Sequence, residues 1–528
     1  MEFYITKSDY VQSLDCDKNL WLQKHKPELF DDSVMSEFAE RLLEEGKLVD
    51  EASRNLFADA RFINARGQDA VNQTADAIST KSQDILLQPA FSHEIFFAQC
   101  DVLRIINWDT KECELFEVKA SNQVKKEHIP DLSFQKIILE ANGFNVSTVG
   151  VIHLNKEYTR RGPIDYERLF ITSDVTDEVT DIEPETLERM SYLKVYLNGQ
   201  EPSGCSCVYK GRSGQCESFR YSNPHIPEYS IHDLIRIGSS KALIAEWIDN
   251  DVFALDEIPN PSSLTTPRKL QYDSYISGSP IIDKRAVKET LDGLAFPLHF
   301  FDYEACSFAI PQFDGFKPYQ FVTFQYSLHI LHADGSLEHK EYLITDPQKE
   351  VSLELVEQMR RDFYPEGSAI VWYKPFEVSR NKELAELYPD SQSFFDALNE
   401  KRIFDLRDIF SKNMYVDARS KGSTSLKEIL PITVPDLTYK TLGIQGGTAA
   451  MTEWSNLVFS GLSDSDKDQI RFDLLEYCKL DSFAMVEITK RLHELVEADH
   501  HEYLIIFRSD WCNLKRIGVI FNTEGSFS

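Results

Sequence analysis

The stretch LHFFDYE (residues 298–304) is an apolar run that ends in two acidic side chains. Short apolar runs bounded by polar residues favour strands, so residues 298–303 are predicted to form one. Side chains two positions apart on a strand point to the same face, and Asp302 and Glu304 should therefore project together. Two adjacent carboxylates repel each other unless a positive charge lies between them. This strand end therefore predicts a divalent-cation site.

A second acidic pattern, EYCKLD (residues 476–481), falls on a long helix predicted for residues 465–497. Tyr477 and Asp481 are four positions apart, so they share one helix face. In that arrangement a carboxylate can hold a metal while the phenol one turn away orients an attacking water.

Two acids between these patterns are candidates for a further ligand. WYKPFE (residues 372–377) follows a predicted strand and opens a predicted helix, which places Glu377 at a helix N-terminus. Asp405 follows a short apolar run. The residues alone leave the choice between Glu377 and Asp405 open.

The order of these motifs resembles the DEDD exonucleases in their tyrosine-bearing subclass, which have a DnaQ-like, ribonuclease H-like fold. By this resemblance Asp302 and Glu304 match the first motif, Glu377 matches the second, and Tyr477 and Asp481 match the third. The resemblance implies two-metal hydrolysis of phosphodiester bonds with Mg²⁺ or Mn²⁺. The expected metal ligands are Asp302, Glu304 and Asp481, and Tyr477 would position the nucleophilic water.

The second motif departs from the family pattern at two positions. Glu377 stands where Asp is usual, and Tyr373 stands where Asn is usual. The wider region also resembles an uncharacterised bacterial family that joins a RecB-like nuclease region to this exonuclease-like region. The segments that carry this second resemblance are IPQFDG (310–315), PYQ (318–320), FQYS (324–327), SLK (425–427) and LP (430–431).

Outward from these motifs, the periodicity predicts α/β structure in both halves of the chain. The predicted elements are a helix at 36–57, strands at 94–107 and 113–120, a helix at 130–142, a strand at 148–154, a helical stretch at 231–249, strands at 319–331 and 338–344, a helix at 352–363, a strand at 369–373 and a helix at 377–387. Residues 200–226 are predicted to be a loop and residues 259–279 a linker, because both are rich in Pro, Ser and Gly.

The hairpin predicted for residues 94–120 carries Asp101, Glu117 and Lys119. This layout resembles the PD-(D/E)xK nucleases of restriction-endonuclease-like fold, in their RecB-like branch. The resemblance implies that Asp101 and Glu117 hold Mg²⁺ or Mn²⁺ and that Lys119 helps to position a hydroxide and to stabilise the phosphate charge. Gln135, on the following helix, matches the downstream glutamine of that branch.

Two further features bear on this N-terminal site. Many RecB-like nucleases have a histidine ligand three residues after a glycine, whereas Gly46 is followed at that spacing by Val49. The basic pair Lys125 and Lys126 is expected to meet a nucleic-acid backbone.

Four of the nine cysteines form a pattern of their own. One precedes the predicted nuclease core and three follow it, which resembles the iron–sulfur RecB-like nucleases, including the CRISPR-associated ones. Four thiolates suit a [4Fe–4S] cluster or a structural Zn²⁺. These four are Cys16, Cys205, Cys207 and Cys216. The other five lie in apolar contexts and are expected in the core: Cys100, Cys113, Cys306, Cys478 and Cys512.

Bulk properties limit the function classes. A chain of 528 residues should contain at least two domains. The net charge of −30 argues against a large basic nucleic-acid surface. Substrate affinity should then depend on a few local Lys and Arg side chains and on metal, and the charge leaves room for a protein partner. No long apolar run and no signal-like N-terminus are found, which predicts a cytoplasmic protein without membrane contact.

The sequence thus predicts four regions and a leading function. The regions are a RecB-like nuclease domain with the cysteine cluster (1–226), a helical connector and linker (227–279), an exonuclease-like domain (280–500) and a tail (501–528). The leading hypothesis is a nuclease that acts on single-stranded DNA or DNA ends, in DNA repair or phage defence. The alternatives are one active and one degenerate site, a ribonuclease, or a non-catalytic scaffold that binds nucleic acid or protein.

Overall fold

Two mixed sheets, one in each half of the chain, organise the protein in its computed structural model. The structure describes residues 4–30, 36–347 and 350–497. Helices accompany both sheets, so the fold is mixed α/β, as the sequence predicts. Among the helices in these ranges, none combines the length and apolar character that crossing a membrane requires. The expected tail, 501–528, and Cys512 lie outside the described residues.

The strands of the first half build one large and one small sheet. They are β1 (Ile5–Thr6), β2 (Arg61–Phe62), β3 (Ile85–Leu87), β4 (Ala90–His93), β5 (Phe96–Gln99), β6 (Val102–Asn107), β7 (Glu112–Lys119), β8 (Asn145–Leu154) and β9 (Phe170–Asp174). The large sheet has the order β2-β3-β6-β7-β8-β9, and the small one has the order β1-β5-β4. The β6–β7 hairpin is antiparallel, as predicted, whereas β7 and β8 are parallel. A parallel pair needs a crossover, and a helix supplies it here.

The first half contains ten α-helices in the described residues. They are α1 (Lys7–Asp15), α2 (Asp17–His25), α3 (Glu37–Ser53), α4 (Gly67–Thr80), α5 (His128–Ala141), α6 (Tyr166–Leu169), α7 (Thr176–Tyr196), α8 (Phe219–Ser222), α9 (Lys241–Asp249) and α10 (Thr266–Ser277). Helix α5 is the crossover between β7 and β8. Helix α1 begins at a capping box in which Thr6 and Asp9 exchange hydrogen bonds, and it follows β1 directly. The start of the described chain is therefore fixed against the small sheet.

The second half is built on a five-stranded sheet. The strands of the second half, including two outside this sheet, are β10 (Ile281–Ile282), β11 (Leu298–Ser307), β12 (Phe321–Leu331), β13 (Leu337–Leu343), β14 (Ala369–Val371), β15 (Ile403–Asp405) and β16 (Tyr415–Val416). The sheet order is β13-β12-β11-β14-β15, and β10 pairs with β16 separately. Strands β12 and β13 form an antiparallel hairpin beside β11, whereas β14 and β15 run parallel to β11. The strand that opens this sheet therefore lies at its centre.

The helices of the second half cover this sheet. They are α11 (Lys284–Asp292), α12 (Leu353–Asp362), α13 (Lys374–Leu387), α14 (Gln392–Lys401), α15 (Asp408–Ser411), α16 (Leu426–Thr433), α17 (Gly447–Phe459) and α18 (Asp464–Glu497). The long helix α18 buries Leu474, Tyr477 and Asp481 toward the central strands. Gln325 of β12 donates a hydrogen bond to the Leu474 carbonyl at 2.8 Å, which fixes the helix against the sheet.

Four segments differ from their predictions. The predicted loop 200–226 contains the short helix α8 and two 3₁₀ turns. The strand predicted for 94–107 is two strands, β5 and β6, in different sheets. It breaks at Cys100 and Asp101 because these residues pair with the backbone of Gln88 and Pro89. The predicted linker 259–279 contains helix α10, whose Pro267 and Gly278 are a normal helix start and stop. The helical stretch 231–249 is α-helical only in α9 and begins as two short 3₁₀ turns.

The two halves contact each other beside both candidate sites. Arg41 of α3 donates to the Ser307 carbonyl at the end of β11, at 2.7 Å. Tyr319 donates to the carbonyl of Ala120, the residue that follows β7, at 2.6 Å. Arg160 donates to the Pro311 carbonyl at 2.8 Å.

Candidate functional site

A cleft of about 810 Å³ opens beside the central strand of the second half. Four acidic side chains line it, and they come from β11, α13 and α18. They are Asp302, Glu304, Glu377 and Asp481. The structure therefore brings together the acids that the sequence placed in three separate motifs.

Strand alternation places the first two acids as predicted. The ligand oxygens of Asp302 and Glu304 lie within 4.8 Å of each other and of the Cys478 sulfur. Tyr303, between them, points to the other face and donates a hydrogen bond to Asn381 at 2.7 Å. The strand pairing shifts between Glu304 and Ala305, so the ladder is irregular where the acids project.

Burial and mutual repulsion disfavour the ionised forms of the four acidic side chains in the cleft. Burial, and then the charge of Asp481, raise the pKa of Asp302 well above its ordinary range. Burial and neighbouring Asp302 raise the pKa of Glu304 and Glu377 in the same way. Burial also raises the pKa of Asp481, to about 6, although Tyr439 and Lys427 act against it. The four carboxylates therefore lack sufficient positive charge from the protein.

The structure separates the roles of Glu377 and Asp405. Glu377 is 1% exposed, and within the described residues its Oε2 has no hydrogen-bond partner. The carboxylate of Asp405 instead accepts the backbone N–H groups of Tyr373, Lys374 and Arg407 at 2.9–3.1 Å. Asp405 therefore fixes the turn that opens α13, whereas Glu377 lines the cleft with an unpaired oxygen.

The same turn presents an aromatic ring at the mouth of the cleft. Tyr373 has φ +87°, a left-handed conformation that is costly for a residue with a side chain. The three hydrogen bonds to Asp405 hold it there. Its side chain is 48% exposed, and the Arg407 guanidinium lies 5.0 Å from the ring centroid.

Two tyrosines and a lysine complete the cleft. The Tyr439 hydroxyl donates to Asp481 Oδ1 at 2.5 Å. Burial and the nearby Asp481 charge raise the pKa of Tyr477 far above its ordinary range, so its hydroxyl stays protonated. Lys427 Nζ lies 5.1 Å from the Tyr477 ring centroid and donates to the Gln445 carbonyl at 2.6 Å.

These residues fit hard divalent cations. Mg²⁺ and Mn²⁺ prefer carboxylate oxygens, and the Glu377 carboxylate, which is close enough to Asp302 for the Asp302 charge to raise its pKa, has a buried oxygen without a hydrogen-bond partner in the described residues. Burial raises the pKa of the Cys478 thiol well above its ordinary range, so the thiol stays protonated and is a poor ligand for such ions.

A second cluster lies at the C-terminal end of β7. Glu117 Oε1 accepts hydrogen bonds from Lys119 at 2.9 Å and from Lys7 at 2.6 Å, and Glu117 Oε2 accepts one from Gln135 at 2.9 Å. Lys119 also pairs with Asp131 at 2.7 Å. Burial would raise the pKa of Glu117, but the two ammonium groups hold it well below its usual range.

Asp101 lies beside this cluster, as the sequence predicts. Its Oδ2 accepts the Val118 N–H at 2.7 Å, and its Oδ1 accepts Gln88 at 3.1 Å. Burial and the neighbouring Glu117 raise the pKa of Asp101 to about 7. Val49 is fully buried against apolar side chains, and Lys125 and Lys126 are exposed before α5.

The four clustered cysteines lie together, as the sequence predicts. Their sulfur atoms all lie within 4.8 Å of one another, and Cys205 Sγ is 3.6 Å from the sulfurs of both Cys16 and Cys216. Thiolates around one tetrahedral zinc ion, with Zn–S bonds of about 2.3 Å, lie roughly 3.8 Å apart. A four-iron cubane holds its four thiolates farther apart, so this spacing fits a single ion. Cys100, Cys113, Cys306 and Cys478 are buried, as predicted.

The sequence predicted Lys119, but it did not indicate four other residues of these clusters, which are Lys7, Asp131, Lys427 and Tyr439. Lys7 lies far from Glu117 in the chain, and Lys427 and Tyr439 lie in segments without a recognisable acidic motif. Asp131 carried a detectable signal, because it is four positions from Gln135 and shares its helix face.

Comparisons with known proteins extend over part of the chain. A family described as a domain of unknown function (DUF2779) matches residues 299–425, which include Asp302, Glu304 and Glu377. An uncharacterised protein of Ureaplasma parvum is 28% identical over 306 residues, 53% of this chain and 43% of the relative. An uncharacterised protein of Mycoplasma genitalium is 25% identical over 228 residues, 40% of this chain and 34% of the relative. The chain thus spans less than half the length of these curated relatives, and no solved structure matches it significantly.

Proposed function

We propose that this protein is a divalent-metal-dependent nuclease whose C-terminal centre removes nucleotides from the 3′ ends of DNA. The observation that carries the proposal is the meeting of Asp302, Glu304, Glu377 and Asp481 in one open cleft. Glu304, Glu377 and Asp481 are buried and Asp302 is half-buried, so their mutual repulsion is costly. Lys427 and Arg380 offset part of this cost, and a bound divalent cation would offset more of it. A purely structural cluster would be expected to carry its own positive partners.

The ligands proposed for the cation pair are Asp302, Glu304 and Asp481, with Glu377 as a further acceptor. The chemistry supplied at such a centre is activation of water and stabilisation of charge on the phosphate oxygens. Tyr477 keeps its proton, so its hydroxyl can hold the attacking water by a hydrogen bond. Tyr439 holds the Asp481 carboxylate in place.

The rim of the cleft supports a single-stranded substrate. The exposed Tyr373 ring offers a stacking surface to an unpaired base, and Arg407 and Lys427 offer positive charge to the backbone. A duplex would need a broader basic surface than a chain of net charge −30 is expected to provide. The proposed substrate is therefore a single strand or a frayed end.

Topology supports the fold assignments that accompany this proposal. In the second half, the first long strand, β11, is central, a hairpin lies on one side and two parallel strands on the other. That order supports a ribonuclease H-like fold. In the first half, the β6–β7 hairpin followed by α5 and the parallel strand β8 supports a PD-(D/E)xK-like fold.

The test is digestion of 5′-labelled single-stranded DNA with Mn²⁺ by the wild-type protein, Asp302→Asn and Asp396→Asn. Asp396 is an exposed acid on α14, outside the cleft, and serves as the matched control. The wild type and the control should give progressively shortened labelled products, and Asp302→Asn should give none. Equal activity of all three proteins would mean that DNA is cleaved at a site other than this cleft. Intact DNA and intact RNA after incubation with Mg²⁺ and with Mn²⁺ would overturn the proposal.

A further inference from the structure

The N-terminal cluster already contains a cation supplied by the chain. Lys7 is the first residue of α1, and its Nζ lies 2.6 Å from Glu117 Oε1. Burial would lower the pKa of Lys7, but the charges of Glu117, Asp101 and Asp131 raise it well above its ordinary range. The ammonium therefore interacts with all three acids of the cluster.

The oxygens of these acids are fully engaged by the protein. Each of the six carboxylate oxygens of Asp101, Glu117 and Asp131 accepts at least one hydrogen bond. The donors are Gln88, the Val118 backbone N–H, Lys7, Lys119 and Gln135. In the C-terminal cleft, by contrast, Glu377 Oε2 meets no donor among the described residues. A divalent ion at the N-terminal cluster would have to displace an ammonium group from Glu117.

A rigid element delivers the Lys7 ammonium. The capping box of Thr6 and Asp9 fixes where α1 begins, and Lys24 of α2 ties Asp9 with a 2.7 Å ion pair. Ile5 pairs with Phe96 in the small sheet directly before it. The position of Lys7 is therefore set by backbone structure.

We propose that Lys7 is a built-in cation of the N-terminal centre, where its ammonium group takes the place of a divalent metal ion. The centre, as folded, is closed to Mg²⁺ and Mn²⁺, in contrast to the expectation from its RecB-like motif. Lys119 contacts both Glu117 and Asp131, so loss of Lys7 removes one of the two ammonium groups on Glu117 and leaves Asp101 and Glu117 with less positive charge between them. That vacancy is a cation site with carboxylate ligands.

The experiment measures Mn²⁺ binding by the electron paramagnetic resonance signal of free Mn²⁺ during titration of the full chain. All proteins carry Asp302→Asn and Glu304→Gln, which disable the C-terminal centre. Mn²⁺ binding at the N-terminal centre is defined as the fraction of bound Mn²⁺ that is lost when Glu117→Gln is added to the same protein. Lys7→Met should create such binding, and the protein that retains Lys7 should show none over the same range of Mn²⁺ concentration. Lys194→Met and Lys7→Arg should not create such binding, because the first removes an exposed lysine outside the cluster and the second keeps the charge.

Two outcomes overturn the proposal. Glu117-dependent Mn²⁺ binding in the protein that retains Lys7 would mean that the ammonium does not exclude the metal. Lys7→Met protein that has an unchanged circular dichroism spectrum and melting temperature, yet gains no Glu117-dependent binding, would mean that the acids do not form a cation site. Neither outcome depends on nuclease activity, so the proposed function of the C-terminal centre is tested separately.

Discussion

Replacing Asp481 with Asn should stabilise the metal-free protein. Burial raises the pKa of Asp481 from 3.8 to about 6. A shift of about two units corresponds to about 3 kcal/mol of unfolding free energy, at about 1.4 kcal/mol per unit. The folded carboxyl binds its proton more tightly than the unfolded one, so stability falls as the pH rises from 3.8 to about 6 and the full cost applies above that range. Asn carries no charge and can still accept the Tyr439 hydrogen bond, so it avoids this cost.

The assay is calorimetric unfolding of both proteins in EDTA at about pH 8 and at about pH 4. At the higher pH, Asp481→Asn should unfold roughly 6–12 °C above the wild type, because about 3 kcal/mol shifts the melting temperature of a domain of about 200 residues by that much. At the lower pH the two proteins should unfold together. Saturating Mn²⁺ should reverse the order at high pH. Metal at about 1,000 times its Kd stabilises the wild type by about 4.1 kcal/mol, which exceeds the variant's advantage, and the variant has lost a ligand.

A lower melting temperature of Asp481→Asn in EDTA at high pH would refute this reasoning. It would mean that the ionised carboxylate is stabilised by Tyr439 and Lys427 and needs no further cation. The control Asp396→Asn, at an exposed position, should leave the melting temperature unchanged under every condition.

Three further predictions address individual residues. Glu377→Gln should lower kcat/KM for single-stranded DNA by on the order of 100-fold without lowering the unfolding free energy. Asp405→Asn should instead lower the unfolding free energy by about 1–3 kcal/mol. If both variants changed kcat/KM and the unfolding free energy equally, the separate roles of Glu377 and Asp405 would be contradicted. Lys427→Met should raise KM for single-stranded DNA and weaken the salt dependence of KM, because a positive charge near the phosphate backbone of the DNA is lost. An unchanged KM would exclude a contact between Lys427 and the DNA backbone. Metal analysis of purified protein should find about one zinc ion per chain, and Cys207→Ser should lose it. Equal amounts of iron and acid-labile sulfide, together with visible absorbance, would show an iron–sulfur cluster instead.

Local periodicity was enough to predict which side chains share a face in two elements of the C-terminal cleft. Asp302 and Glu304 share a face because strand alternation dictates it, and Tyr477 and Asp481 share a face because helix geometry does. Such relations depend on a few neighbouring residues. The meeting of the two pairs depends on the path of the chain between them, and the sequence indicated it only through motif order.

Contacts between distant segments were not predictable in this way. The ammonium of Lys7 reaches Glu117 because β1 joins the small sheet, and no local pattern in the first residues indicates that pairing. The break at Asp101 was missed because most residues of the segment 94–107 are apolar, as in one continuous strand, and the division becomes visible only in the pairing with the neighbouring strands. Helix α10 was mistaken for a linker because its Pro and Gly lie at its ends, where they delimit a helix as well as a loop.

The cysteine cluster and its surroundings have a consequence for synthesis of the chain. Residues in and next to helices α1 and α2 contact a segment about 180 residues later in the chain. Cys16 lies against Cys205, Trp21 donates a hydrogen bond to the Gly199 carbonyl, and Lys26 forms an ion pair with Glu201. A ribosome makes the first helices long before it makes these partners, and contacts of such separation form slowly. The opening segment, with Lys7, must therefore wait until Cys216 has emerged before the N-terminal domain can close around it.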